Sequence, residues 1–156
     1  RLEKEADLYA REGDRIVSAP EADIAVLRRY PSWPEKGALS GDGERLTILA
    51  DKTSYAAGEE VRVIHVHEAV RPGVQLYVMG PKAIYGEYVD GVLASPAAAA
   101  PATSYDGAVI DSPGADHNYE VSTHRFASGR HTIEWRFATL SGPTTLSSNI
   151  LTIDVR

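Results

Sequence analysis

At 156 residues, 43% hydrophobic and 24% charged, the chain has the size and composition of one globular domain, long enough to bury roughly 70% of its unfolded surface. Its formal charge of −6 and scattered basic residues exclude the basic stripe on which sequence-independent nucleic-acid binding depends. With no cysteine, a disulfide framework, a thiolate metal site and a cysteine nucleophile are excluded too, and no apolar run approaches the ~18 residues of a membrane-spanning helix.

Residues 1–16 are rich in helix formers, and Leu2, Ala6 and Tyr9 recur at helical spacing, which predicts a helix ending near Gly13. Ser18-Ala19-Pro20-Glu21 is a second start signal, and a short helix is expected over 21–29. Tyr30-Pro31-Ser32-Trp33-Pro34 stops it, because each proline biases its predecessor away from helical angles. This run reads as an extended segment with Tyr30 and Trp33 tucked onto the body, or as a partner-docking peptide. Residues 37–44 form a loop by composition.

Strand signals then take over, near 45–50, 60–68, 74–79, 83–89, 108–110, 119–126, 131–138 and 146–155. Pro72-Gly73 between the second and third of these predicts a hairpin, or two neighbouring strands of a sandwich. His131, Ile133, Trp135 and Phe137 alternate with polar residues, as do Leu151, Ile153 and Val155, so each strand buries one face. Trp135 is the expected centre of the core. Residues 96–103, low in complexity and bracketed by prolines, read as a surface crossover. The expectation is a soluble, mainly β domain over 45–156, an antiparallel sandwich carrying a short helical and extended segment over 1–44.

Chemistry concentrates in Ile64-His65-Val66-His67-Glu68. Residues two apart on a strand share a face, so His65 and His67 are placed to present two imidazoles to one divalent transition metal, with His117, His124, His131 or Asp116 as a further ligand. The spacing is similar to the H-x-H start of the cupin metal motif, although Gln75 stands roughly where that motif has glutamate. The competing reading is that both histidines hydrogen-bond to neighbours on a polar sheet face, with no cofactor. Val61 and Val63 share the histidines' face while Ile64 and Val66 lie opposite, so neither face is cleanly apolar. Either a bulge near 63–65 switches the faces, or the strand is central and covered on both sides.

A second candidate is the tyrosine-rich stretch. Tyr77, Tyr85, Tyr88, Tyr105 and Tyr119, with Glu87 alternating with Tyr85, suggest a groove for a protein, peptide or glycan. Asp106, Asp111, Asp116 and Asn118 supply oxygens for calcium, though they match no EF-hand spacing and such residues also favour turns. Neither a G-x-S-x-G elbow nor a phosphate-binding G-x-x-x-x-G-K loop occurs.

The segment from Asp51 through Tyr55, Gly58 and Glu59 to Val61 and Val63 resembles the D-K-x-x-Y-x-x-G-E-x-V-x-V opening of bacterial immunoglobulin-like and macroglobulin-type sandwich domains. Ser148-Asn149-Ile150-Leu151-Thr152-Ile153-Asp154-Val155 resembles their last strand. Ala57 stands where proline is common, and without a thioester cysteine no complement-like chemistry is implied. The resemblance implies an immunoglobulin-like fold and a structural or recognition module, often extracytoplasmic; no reaction follows from it. A further possibility is a structural domain of a longer assembly that self-associates through an exposed edge strand. The leading expectation is therefore a non-catalytic recognition module, and the alternative a small cupin-like metal-binding protein or metalloenzyme.

Overall fold

A computed structural model of the chain describes residues 8–78, 80–95, 109–138 and 145–156. Where a first helix was expected, the described residues form an antiparallel hairpin of β1 (Tyr9–Glu12) and β2 (Arg15–Ser18). Gly13, at φ 62°, opens the two-residue loop, a conformation open to glycine because it lacks a Cβ. The glycine that seemed to end a helix turns a ribbon instead. Helix α1 (Glu21–Leu27) falls inside the expected range, with Pro20 at its cap and Glu21 and Asp23 complementing the dipole of its first turn. A 3-10 turn over Tyr30–Ser32 follows, and Tyr30 is buried.

Next come β3 (Glu44–Leu49), β4 (Ser54–Tyr55), β5 (Glu60–Ala69), β6 (Gln75–Tyr77), β7 (Glu87–Val89) and β8 (Val92–Leu93). The second half supplies β9 (Val109–Asp111), β10 (Gly114–Asp116), β11 (Ser122–Arg125), β12 (Gly129–Ala138), β13 (Thr145–Ser147) and β14 (Leu151–Val155). In the first main sheet β5 is paired on one side by β3 and on the other by β10 and β11. The second has the order β4-β14-β12-β7-β8, with β13 also on β12. The hairpin expected at Pro72-Gly73 is not formed, because beyond β5 the chain leaves the sheet and β6 pairs with β9. The single strand expected over 146–155 is two, β13 and β14, bent apart at Ser148-Asn149-Ile150. The Asn149 side chain there accepts from Ile48 N at 2.8 Å and donates to Ile48 O at 3.0 Å, pairing with the edge of β3 as a strand residue would.

The two main sheets face each other across one core. Leu46, Ile48, Val61 and Val63 of the first meet Ile133, Trp135, Leu151, Ile153 and Val155 of the second. Trp135 is buried as expected, 2% exposed; the side chain of Phe137 and residues 96–103 lie outside the described residues. A second cluster lies behind β5, where Leu49, Ile64 and Val66 pack against Leu8, Ala19, Val26, Leu27 and Tyr30. The mixed faces of β5 follow from this double cover. No bulge is involved on the β3 side, since the register runs unbroken from Glu44↔Ala69 to Leu49↔Ile64.

Candidate functional site

The inward face of β5 starts apolar, at Val61 and Val63, and continues with His65 and His67. Opposite His65, in the second sheet, Glu87 of β7 points into the core because its register partner is Trp135, whose side chain does the same. His65 Nε2 lies 2.7 Å from Glu87 Oε2, and His124 Nε2, from β11, lies 2.8 Å from Oε1. Ser122 Oγ donates to Oε2 at 2.9 Å. The His65 ring stands edge-on to Trp135, centroids 4.9 Å apart, and the indole N–H donates to Tyr85 O at 3.0 Å. Burial opposes charge on Glu87, but the hydrogen bonds from His124 and His65 outweigh it and hold its pKa well below the usual carboxylate range. The ionised carboxylate thus ties the sheets together, each oxygen serving a different imidazole.

This arrangement does not gather nitrogens round one ion. His65 and His124 come together only through Glu87, each imidazole bonded to a different oxygen of its carboxylate. His67 shares the face of His65, as alternation demands, yet it meets Glu44 Oε1 at 2.8 Å instead. Asp116 is its register partner across β10, and Lys82 forms an ion pair with Asp116 while lying over the Tyr119 ring. Burial lowers the His67 pKa despite the nearby carboxylates of Glu44 and Asp116. His131 is on the surface side, bonded to Asp90 and to Ala127 O, and His117 is half-buried. Among the described residues no group of three His, Cys, Asp or Glu side chains is placed to hold a metal ion. The expected convergence of His65 and His67 therefore gives way to two separate imidazole–carboxylate contacts.

Tyr119 packs edge-on against Trp135 at 5.0 Å, Tyr88 lies under the Arg136 guanidinium, and Tyr85 is half-buried. Glu87, expected beside Tyr85 on a groove, is 2% exposed and inside the core. The side chain of Tyr77, all of Tyr105 and Asp106 lie outside the described residues. Of the oxygens considered for calcium, Asp111 is exposed and bonded to Gln75, and Asp116 is buried with Lys82.

Among the described residues lie two open depressions of note. A cleft of about 290 Å³ between α1 and β5 is lined by Asp23, Asp51, Glu59 and Glu60, each already paired with Arg62, Arg29, Lys52 or Arg125. A slot of about 270 Å³ is lined by Tyr9, Ile16, Val78, Gly80 and Asn118. Its hairpin wall was hidden from sequence reasoning by the helical reading of residues 1–16. The other wall owes its shape to the loop 117–121, where five residues span what three, 64–66, span on β5. That loop lies against Gly80, where a Cβ would fall 2.1 Å from Asn118 O. Searches of family models, curated proteins and solved structures find no match to this chain.

Proposed function

We propose that this chain is a non-catalytic recognition module of immunoglobulin-like build that binds its ligand at the slot between the β1–β2 hairpin and the tyrosine-rich strands. One observation carries the reading. His65 and His124 face inward and bond through Nε2 to the buried Glu87 carboxylate, whereas the slot is open and walled by Tyr9 and Ile16, 37% and 51% exposed. His65, Glu87 and His124 lie in a closed contact, with side chains 0%, 3% and 16% exposed, which leaves no room for a substrate between them. Val78 and Asn118 of the slot are sequence neighbours of Tyr77 and Tyr119, so the site sits at the end of the tyrosine-bearing segment. The immunoglobulin-like reading draws support from position as well. The two segments that carry the resemblance lie side by side, Asp154↔Ser54 and Val155↔Tyr55, in a parallel pair.

The test is a nuclear magnetic resonance screen of the ¹⁵N-labelled chain against a random hexapeptide mixture and a neutral oligosaccharide mixture. Shifts should cluster on Tyr9, Ile16, Val78, Gly80 and Asn118, and Ile16→Ser should remove them without moving the melting temperature. A spectrum unchanged by both mixtures would leave the recognition reading without support.

A further inference from the structure

We infer that the slot receives an extended apolar peptide segment, one of whose backbone N–H groups bonds to Asn118 Oδ1. The inference rests on the recognition reading and names its ligand class. The Asn118 amide is pinned: Nδ2 donates to Val78 O at 2.5 Å, the backbone N–H donates to Asp116 Oδ1 at 3.0 Å, and the backbone carbonyl accepts from Lys82 N at 2.9 Å. Flipping the amide would set its oxygen against the Val78 carbonyl, so the orientation is fixed. Oδ1 is left buried with no hydrogen-bond partner, a standing cost that an incoming donor relieves.

The hairpin supplies one wall of the slot in which Asn118 stands. Arg11 and Ile16 are register partners in the hairpin, so Tyr9, Arg11 and Ile16 share the face turned toward the slot. On this face the ribbon is fixed by Arg11, which bonds to Glu120 and to Pro81 O across an exposed ion pair, a contact of small worth. A two-stranded ribbon has little stability of its own. Binding through Oδ1 requires the slot face of the hairpin to shift outward while Leu8 and Ala10 stay anchored in the cluster behind β5.

The chemistry selects the occupant. The site asks for a donor and presents Tyr9, Ile16 and Val78 as walls, and among the described lining residues none is charged, Arg11 on the same face being paired with Glu120. A sugar also brings donors, but it would bury further hydroxyls without partners against those walls. An extended peptide with apolar side chains brings both an N–H and matching surface. The volume, just below the ~300 Å³ at which ligand sites usually begin, suits one or two apolar side chains of a longer extended segment.

The experiment uses the whole labelled chain and three probes: acetyl-Leu-Val-Leu-amide, its analogue methylated at the nitrogens of all three residues, and acetyl-Ser-Asn-Ser-amide. The first should shift the backbone signals of Ile16, Val78 and Gly80 and the side-chain amide signals of Asn118. The methylated analogue should bind about ten-fold more weakly, as expected for one lost hydrogen bond. Ile16→Ser, an exposed change, should weaken the apolar probe while the melting temperature holds. Equal affinity of the methylated analogue, equal affinity of the polar probe, or a motionless Asn118 side-chain signal overturns the inference. Slot binding by oligosaccharide alone in the earlier screen overturns it while leaving recognition intact, and no binding by any probe or mixture overturns both.

Discussion

Glu87 has two carboxylate oxygens for three donors, and that count decides what its substitution does. An amide at this position keeps one acceptor and turns an NH₂ group toward an imidazole N–H, leaving a donor buried and unmet between the sheets. Glu87→Gln should therefore cost about 3 kcal/mol in urea denaturation, in the range for breaking a buried charged contact. Ser122→Ala, which removes one of three donors, should cost about 1 kcal/mol. If Glu87→Gln stays within about 1 kcal/mol of the parent, the carboxylate is not the tie described. His67 is one group that links stability to pH on the acid side. Its folded pKa lies below the ordinary value of about 6.5, so in that window the unfolded chain holds a proton that the folded chain refuses. The contribution is present above about pH 6.5 and lost as pH falls through the folded value. Glu44, Asp116 and Lys82 are the charged groups that bear on it, and Glu87, held well below the usual carboxylate range, stays ionised throughout this window. His131, whose pKa is raised by its bond to Asp90, pulls the other way in the same window, so the His67 contribution is read by difference: the melting temperature at pH 5 relative to pH 7.5 should be higher in His67→Gln than in the parent. An unaltered profile in that variant would show that some other group sets the slope.

At the scale of elements, what the sequence reveals is what alternation and turn chemistry encode locally. β12 and β14 were legible because each buries one face, and the period of two stands out in Ile133-Glu134-Trp135 and in Leu151-Thr152-Ile153. β5 was legible as a strand but not as to its faces, because its outward residues Ile64 and Val66 are buried by the N-terminal segment. Double burial removes the polar half of the pattern. The β7–β8 hairpin was missed although Asp90-Gly91, at φ 52° and 79°, is a strong two-residue turn signal, one overlooked because β8 is only two residues long. The partners of the histidines were not legible at all. His65 meets Glu87 from 22 residues away and His124 meets it from 37, distances bridged by sheet packing and not by any local spacing. The H-x-H pattern fixed the face of His65 and His67 but had no means of showing that a glutamate from the opposite sheet would occupy the first.

At the scale of the molecule, the two hydrophobic clusters share β5 as a common wall, so the N-terminal segment is part of the core and not an appendage. Leu49, Ile64 and Val66 are essentially inaccessible, and the residues that cover them are Leu8, Ala19, Val26, Leu27 and Tyr30. Polar contacts bind the same layer: Arg62 of β5 grips Asp23 of α1 at 2.9 and 2.8 Å, and the Tyr30 hydroxyl donates to Glu68 at 2.6 Å. Removing residues 1–36 would keep Gly37, whose amide donates to Thr47 Oγ1, but would bare all three large side chains. Fully burying one such side chain is worth about 1.5–3 kcal/mol, so the three together represent about 5–9 kcal/mol. Whole domains of this size are stable by about 5–15 kcal/mol, and the loss is thus comparable with the total. The fragment 37–156 should bind the dye ANS, scatter light as it aggregates and lack a cooperative thermal transition. A monomeric fragment melting within a few degrees of the full chain would mean that the inter-sheet core alone sustains the fold, and that the N-terminal layer serves something other than stability.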